Sequence, residues 1–334
     1  MNIMLKTIER FCLICKYVFA DLIAVLQYYH LCDNKKFDKD ILIARIMMQT
    51  HRIEKGLSIQ NLRSGFGYAK ICDIIHHLNN YESSGYDISH PSIAMAVDTI
   101  SAYLNYHNKI EFENSNILDI KQKISIWQTK IPKTDIPSGG TLLIKRKDLS
   151  FPVEEIEQFF LSRHSVRAFS DEPVSHETIE KAVELASRYP SACNRQPTRV
   201  HVVDKDLLVK SGYSSGYNLN EAYDKFLIVT SKLSAFQIFD NFQYIVSSSI
   251  FIGYLSLTLH LYGIGGCVLK QPVLYSKKSR KKAECIGLPK DEQLIAMIGI
   301  GMLKDEFNVP VSNRLNCEHI ISYFSETVKK GEDK

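Results

Sequence analysis

The sequence predicts an α+β protein with an all-helical front, and three observations carry that expectation. Residues 1 to about 110 show helical periodicity and no convincing β pattern. Residues 111–150 turn polar and bring Pro132, Pro137, Gly139 and Gly140 close together, as a linker or arm would. From 151 onward short β-rich runs interleave with helical stretches, the pattern of a sheet flanked by helices. The chain has 334 residues, and single cores rarely grow much past about 250. Two domains are therefore expected: 1–148, helices plus linker, and 149–334.

In the front part, residues 11–29 (FCLICKYVFADLIAVLQYY) imitate a signal or membrane segment. Lys16 and Asp21 break the run, each at a cost of roughly 2.5–3.5 kcal/mol at a bilayer centre. No A-x-A cleavage site follows. Ile14, Val18, Leu22, Val25 and Tyr29 recur at helical spacing, so a helix packed on protein is expected, with no integral membrane segment. A second helix spans about Asp38 to Lys55. Asp38 and Asp40 suit its positive N-terminal end, and Gly56 suits the left-handed position after its last turn. Two more helices cover about 68–82 and 91–108. The loop from Ser58 to Gly67 carries glycines, small polar residues and Phe66, the composition of a mobile lid. His51, Arg52 and Lys55 precede it and would meet an anionic substrate.

In the second part, helices are expected over Glu154 to Arg163 and, capped by Ser175, on to about Arg188. Val200 to Val203, Phe226 to Val229 and Leu294 to Ile300 read as strands. Residues 240–262 form a long helix ending at Gly263. It is apolar nearly all round, which suits burial on several sides, as at a subunit interface.

Composition excludes several roles. A formal net charge of +4 with no tail of like charges argues against nucleic acid as a partner. Eight cysteines include one CxxC, Cys12 and Cys15, with no second pair and no His pair beside it. Zinc needs three or four converging ligands, so no metal site is expected. The thiols read as small buried hydrophobes in a reducing, cytoplasmic setting.

Two clusters carry chemistry. The first is SRHSVRAF, Ser162 to Phe169. In an extended segment Arg163, Ser165 and Arg167 point to one side, where their forks and hydroxyl suit a phosphate or a planar polar ring. Alone, the same run fits a solvated basic loop. The second is YPSACNRQP, Tyr189 to Pro197. Pro190 and Pro197 stiffen the backbone, while Ser191, Asn194 and Gln196 offer side-chain hydrogen bonds to a heterocycle edge. Alone, it fits an ordinary helix-terminating turn.

Taken together, Arg-x-Ser-x-Arg, a helix, Pro-Ser-Ala-x-Asn-x-Gln-Pro and a strand closely resemble the nitroreductase family of FMN proteins. YGIGGCVL (Tyr262 to Leu269), LIAMIGIG and SNR (Ser312 to Arg314) fit in order, over about residues 155–325. The resemblance implies a nitroreductase-like central mixed sheet flanked by helices, and a homodimer with FMN at the subunit interface. It implies that Arg163, His164, Ser165 and Arg167 hold flavin polar edges and phosphate from one subunit, joined at the phosphate by Arg314. Pro190, Ser191, Ala192, Asn194 and Gln196 would line the ring from the partner. Asn218 or Asn220, and the turn at Gly265 and Lys270, match more loosely. The implied reaction is an oxidoreduction of a small organic molecule, with hydride passing into flavin N5 and out to an acceptor. The flavin carries the chemistry, so no side chain is named as essential acid or base. No GxGxxG follows a strand, so NAD(P)H would act as a transient donor stacked on the flavin.

The sequence departs from the family pattern at Thr198, where many relatives carry an aromatic residue. Cys193 reads as a filler thiol, and the run SKKSRKK (Ser276 to Lys282) as a solvated face or a steering patch for NADPH. Two other readings stay open: a flavin dehydrogenase or oxygen-using enzyme on a specialised biosynthetic substrate, and a non-enzymatic flavin-binding module.

Overall fold

Apolar residues at helical spacing force the front part into a bundle. In the computed structural model the described residues are 38–132, 134, 137–212, 223–237, 240, 242–269 and 283–324, with Ile8, Glu9, Phe11, Cys12, Cys15, Phe19 and Leu22. Helix α1 (Lys39–Leu57) begins at Asp38, whose side chain accepts from the Asp40 amide. Helix α2 (Tyr68–Ser83) follows, then α3 (Pro91–Lys109), with Pro91 in its first turn and the His90 side chain as cap. Leu42, Ile46, Ile53, Ile74, Leu78 and Ile100 meet in one core.

The polar stretch expected as linker holds a further helix, α4 (Ser115–Lys130), capped by Asn114 accepting from the Ile117 amide. Its apolar stripe of Ile117, Ile120, Ile124 and Trp127 is buried against α2 and α3. Trp127 donates its ring N–H to Asn79 at 2.9 Å. Between those four positions the helix is polar, and that masked it at the level of mean composition.

Two other expectations change. Gly56 lies inside α1 rather than beyond it, and Ser58 is the C-cap. A Cβ on Gly56 would stand 2.1 Å from the Phe66 ring, so the glycine makes room for an aromatic. The Ser58 to Gly67 loop is pinned rather than free. The Gly65 amide donates to Nε2 of buried His107 at 2.9 Å, and Phe66 packs on Tyr103 and His107.

Residues 138–140 form a strap across α1 and α3. The Ser138 amide donates to Asp98 at 2.7 Å, and the Gly140 amide to Glu54 at 3.3 Å. The Glu54 carboxylate also receives the Thr99 hydroxyl and approaches His51. The strap needs a glycine: a Cβ on Gly139 would lie 2.2 Å from the Met95 carbonyl oxygen.

The second part is helix and sheet, in agreement with the α+β expectation. Helix α5 (Val153–Ser162) leads to α6 (His176–Ala186), whose cap Ser175 accepts from the Thr178 amide. Strand β1 (Thr198–Asp204), short helix α7 (Lys205–Lys210), β2 (Lys225–Lys232), helix α8 (Gln243–Leu261), β3 (Ile264–Leu269) and β4 (Glu292–Met302) follow. The strands order as β1-β2-β4-β3, every pair antiparallel. The parallel component of the sheet is a single bridge, Ser165 to Gly266. Helices α6 and α8 cover one face through Ile179, Ala182, Phe251, Leu255 and Leu259. Strand β3, expected only as a glycine-bearing turn, is edge-paired to β4 from Ile264 to Leu269.

Helix α8 is the one described helix long and apolar enough to cross a membrane. One face of it is sheet core. Ile245, Val246, Ile250, Tyr254 and Leu261 stay exposed on the rest. The halves meet where Ala44 of α1 packs with Leu233, Phe236 and Tyr244, and where Lys232 pairs with Asp40 at 2.6 Å. Of the stretch 11–29, the described positions are helical and exposed, including Cys12 and Cys15, so those two thiols are not core fillers within this chain. The remainder of that expected helix lies outside the described residues.

Removing the Ile46 side chain leaves a cavity in a core with little freedom to collapse. Ile46→Ala should cost about 2–5 kcal/mol in urea unfolding followed by fluorescence. Trp127, the sole tryptophan, sits in the same core and reports it directly. Gly139→Ala should lift the strap at a cost of about 1–3 kcal/mol. Faster hydrogen exchange at the Ser138 and Gly140 amides is the expected sign.

Candidate active site

The arginine motif is delivered by the end of α5. Arg163 leaves the helix with φ −75° and ψ 118°, and the chain runs extended beside β3. The Val166 amide donates to Gly266 O at 3.1 Å, and Val166 and Phe169 are buried. Burial of Val166 sends its neighbours Ser165 and Arg167, and Arg163 with them, to the other side of the strand.

Gly265 is what permits this docking. A Cβ there would sit 2.8 Å from Leu303, 2.9 Å from Phe169 and 3.2 Å from Val166. Arg163, His164 and Ser165 border a cavity of about 30 Å³ together with Gly265, Gly266 and His260. Arg167 stands outside it, exposed, its guanidinium reaching back toward Ser165 O at 3.5 Å. His260, in the last turn of α8, meets the Ser162 hydroxyl at 2.7 Å. Burial, then the charges of Arg163 and His164, push its pKa below the ordinary histidine value, so the imidazole is neutral near pH 7. Sequence reasoning passed over His260, which reads there as one more residue of an apolar helix. Its place one turn before the Gly-Ile-Gly-Gly segment was the available signal.

The second motif is a strained, well-anchored loop. A 3-10 turn spans Ala192–Asn194, and Cys193, Asn194 and Gln196 have φ of 51°, 52° and 47°. Side chains hold the shape. The Gln196 amide donates to the Ser191 hydroxyl at 3.1 Å, and the Gln196 side chain to Asn194 at 3.2 Å. The Ala192 amide donates to Ser247 of α8 at 3.2 Å. Thr198 bonds both Tyr189 and Ser248 at 2.9 Å, which gives a hydroxyl at this position a structural task.

Arg195, given no role by the sequence, is the anchor. Its buried guanidinium donates to Asp240 at 2.7 Å and to Ala235 O at 3.0 Å, its Nε donates to Ala192 O at 3.0 Å, and it stacks 4.8 Å from the Phe236 ring centre. Burial alone would raise the Asp240 pKa. The Arg195 bond, the Gln237 amide and the charges of Arg195 and Arg52 bring it below the usual carboxylate value.

The two motifs do not meet within one chain. The loop is tied to Ser247 near the start of α8, and the arginine segment to His260 near its end. That separation is about 20 Å along the helix axis. Arg314 lies in an exposed tail, its guanidinium on Ser312 O, and does not border the Arg163 cavity. Pro190 is exposed beside the loop. Asn218, Asn220, Lys270 and the run 276–282 lie outside the described residues. Among the described residues no group of three or more His, Cys, Asp or Glu is placed to hold a metal ion.

A larger cavity of about 430 Å³ lies on the other side of the loop, between α1, α3 and the segment Arg195 to Arg199. His51, Arg52 and Lys55 do not line it. The wall from α1 is Asp40, Ile43, Ala44 and Met47 instead. Arg52 bonds Gln49, and His51 faces Glu54.

The second half of the chain resembles known proteins. The family model described as Nitroreductase family matches residues 161–302, a span that includes both motifs and the whole sheet. A protein of Archaeoglobus fulgidus named "Putative NADH dehydrogenase/NAD(P)H nitroreductase" is 30% identical over 160 residues, 46% of this chain and 88% of that protein. Among solved structures, a nitroreductase-like family protein from Bacillus cereus overlays with a TM-score of 0.43 at 17% identity, covering 51% of this chain and 95% of its own. An FMN-dependent nitroreductase from Clostridium difficile gives 0.41 at 20% identity, with 50% and 98% covered. The sequence relative, matched over most of its own length, settles the matter: by its second half, this chain belongs to the nitroreductase family.

Proposed function

We propose that this nitroreductase-family oxidoreductase holds FMN between two copies of itself and passes hydride from NAD(P)H to a small organic acceptor. One observation carries the proposal: the two polar motifs are tied to opposite ends of α8, about 20 Å apart along its axis, and do not border a common cavity. A two-fold axis that lays α8 against its copy in antiparallel fashion brings the loop of one chain to the arginines of the next. The exposed stripe Ile245, Ile250 and Tyr254 supplies an apolar surface for that contact. So do Phe160 and Leu161 on α5 and Leu315, Ile320 and Phe324 in the tail.

The donor set fits FMN. Arg163 and Ser165 offer a cation and a hydroxyl beside neutral His260, a set suited to ring oxygens or phosphate. Arg167 and Arg314 are exposed and, among the described residues, bond no carboxylate, so they could meet an anion once a second copy covers them. Ser191, Asn194 and Gln196 would approach the ring from the partner, on backbone held by Arg195. When bound, FMN supplies the hydride chemistry, and the protein's part is to bind, orient and exclude water. The name of the Archaeoglobus relative, with both NADH and NAD(P)H in it, supports a nicotinamide donor. We divide the chain near residue 148 into a helical unit and a flavin unit, and place it in the cytoplasm on the strength of its free cysteines.

Heat-released cofactor should run as FMN on chromatography, and recovery of FAD alone would overturn the assignment. Arg163→Ala, Arg167→Ala and Arg314→Ala should each weaken FMN binding about 10- to 150-fold in apo-protein titration, the range of a lost charge-assisted hydrogen bond. Unchanged affinity in all three contradicts the site. Sedimentation at low micromolar concentration should show a dimer, because a monomer has half of each flavin site. A monomer that keeps its flavin contradicts the shared arrangement.

A further inference from the structure

The cavity of about 430 Å³ between the front helices and the sheet shares no lining residue with the Arg163 cavity. Its size falls in the range of small-molecule sites, about 300–1,000 Å³. Its charged lining residues are Arg195, Arg199 and Lys232 against one carboxylate, Asp40, and the cations are not equally paired. Arg195 is paired with Asp240, and Lys232 with Asp40. Arg199, on β1, donates only to the carbonyl oxygens of Gln196 and Thr198, and among the described residues no carboxylate bonds it.

His90 faces it from the start of α3. The His90 Nδ1 accepts from the Ser92 amide, which leaves the ring proton on Nε2. Burial, then the positive charges of Lys39 and Arg199, push its pKa down, against the pull of Asp40 and Asp87. The cavity wall therefore carries an exposed guanidinium and a neutral imidazole from different halves of the chain. Ile43, Met47 and Met95 add apolar wall, with methionines able to adapt to an irregular body.

We infer that this cavity is the specificity pocket for the acceptor, and that it takes a small molecule with an apolar body and one carboxylate or phosphate group, held by Arg199 and His90. The assignment of the ligand as acceptor rests on the function proposed above. Gln196 belongs both to the loop that would face the partner's flavin and to the cavity wall, so a ligand seated here has one end at the reacting ring. The front helices then act as a selectivity module, setting which acceptors reach a flavin that the second half alone would expose. The anion would bind by replacing the two backbone carbonyls now on Arg199 with a charged, bidentate partner.

The test uses 4-nitrobenzoate and 4-nitrobenzyl alcohol, acceptors with the same nitro group, one anionic and one neutral. With the FMN-loaded full chain and NADH, Arg199→Ala should lower the ratio of kcat/KM for the acid over the alcohol by tenfold or more. Arg199→Lys, which keeps the charge but not the fork, should recover part of it. Calorimetric titration of 4-nitrobenzoate into the protein without NADH should show the same ranking of affinities. A ratio and an affinity that do not change in Arg199→Ala overturn the pocket assignment while leaving the flavin function standing. A protein that retains no flavin overturns that function instead. Calorimetry alone then decides the pocket: binding weakened by Arg199→Ala supports an anion site, and absent or unaltered binding refutes it.

Discussion

Everything in the second half is arranged around one helix that is apolar on more sides than the described residues cover. Helix α8 buries Phe251, Leu255 and Leu259 on the sheet, which holds β2, β3 and β4 in place beneath it. Its first turns anchor the Ala192 loop through Ser247, and its last turn anchors the arginine segment through His260. Its length therefore sets the spacing of the two polar motifs. Its uncovered residues Ile245, Ile250 and Tyr254 leave apolar area that water disfavours at about 25 cal/mol per Å². A helix of ordinary amphipathicity would have stabilised the sheet equally well and left nothing to join.

The front helices attach by a different kind of contact. Their own core is continuous and aromatic-rich, with Tyr81, Tyr103 and Trp127 fully buried. Their junction with the second half joins Ala44 to Leu233, Ala235, Phe236 and Tyr244, with Ala192 against them, and adds the Lys232–Asp40 pair. A partly buried ion pair of this sort fixes orientation more than it adds stability. Among the described residues, the strap of 138–140 bonds only to the front helices, and its Ser138 borders the large cavity along with Lys232 and Asp40 of the ion pair. A tight apolar junction would have closed that space.

Helix positions were legible from periodicity to within a few residues, and so were the class of the second half and the two polar motifs. The failures have physical causes. Helix α4 hid because only Ile117, Ile120, Ile124 and Trp127 of its sixteen residues are buried, so its average composition matched a linker. Gly56 was misplaced because glycine after an apolar run signals a cap, whereas here it admits the Phe66 ring. That contact joins residues too far apart in sequence for local rules to see. The same limit applies to the site. Arg163 and Ser165 were identifiable from spacing, but the anchoring role of Arg195 depends on Asp240, and that of His260 on Ser162, each pair brought together only by the fold.

The loop at Cys193, Asn194 and Gln196 holds three non-glycine residues at positive φ. Each such residue costs of order 1–3 kcal/mol, and the Arg195 cluster offsets it during folding of the single chain. Whatever surface meets this loop meets it already ordered, with no conformational entropy left to lose there. Association at this face should accordingly be quick and close to rigid-body, with its temperature dependence governed by the apolar area of α8 rather than by local folding. The strain also makes the loop intolerant of slack. Were Arg195 to let go, relaxation would carry Ser191 and Asn194 away together, as one hinge rather than as independent side chains.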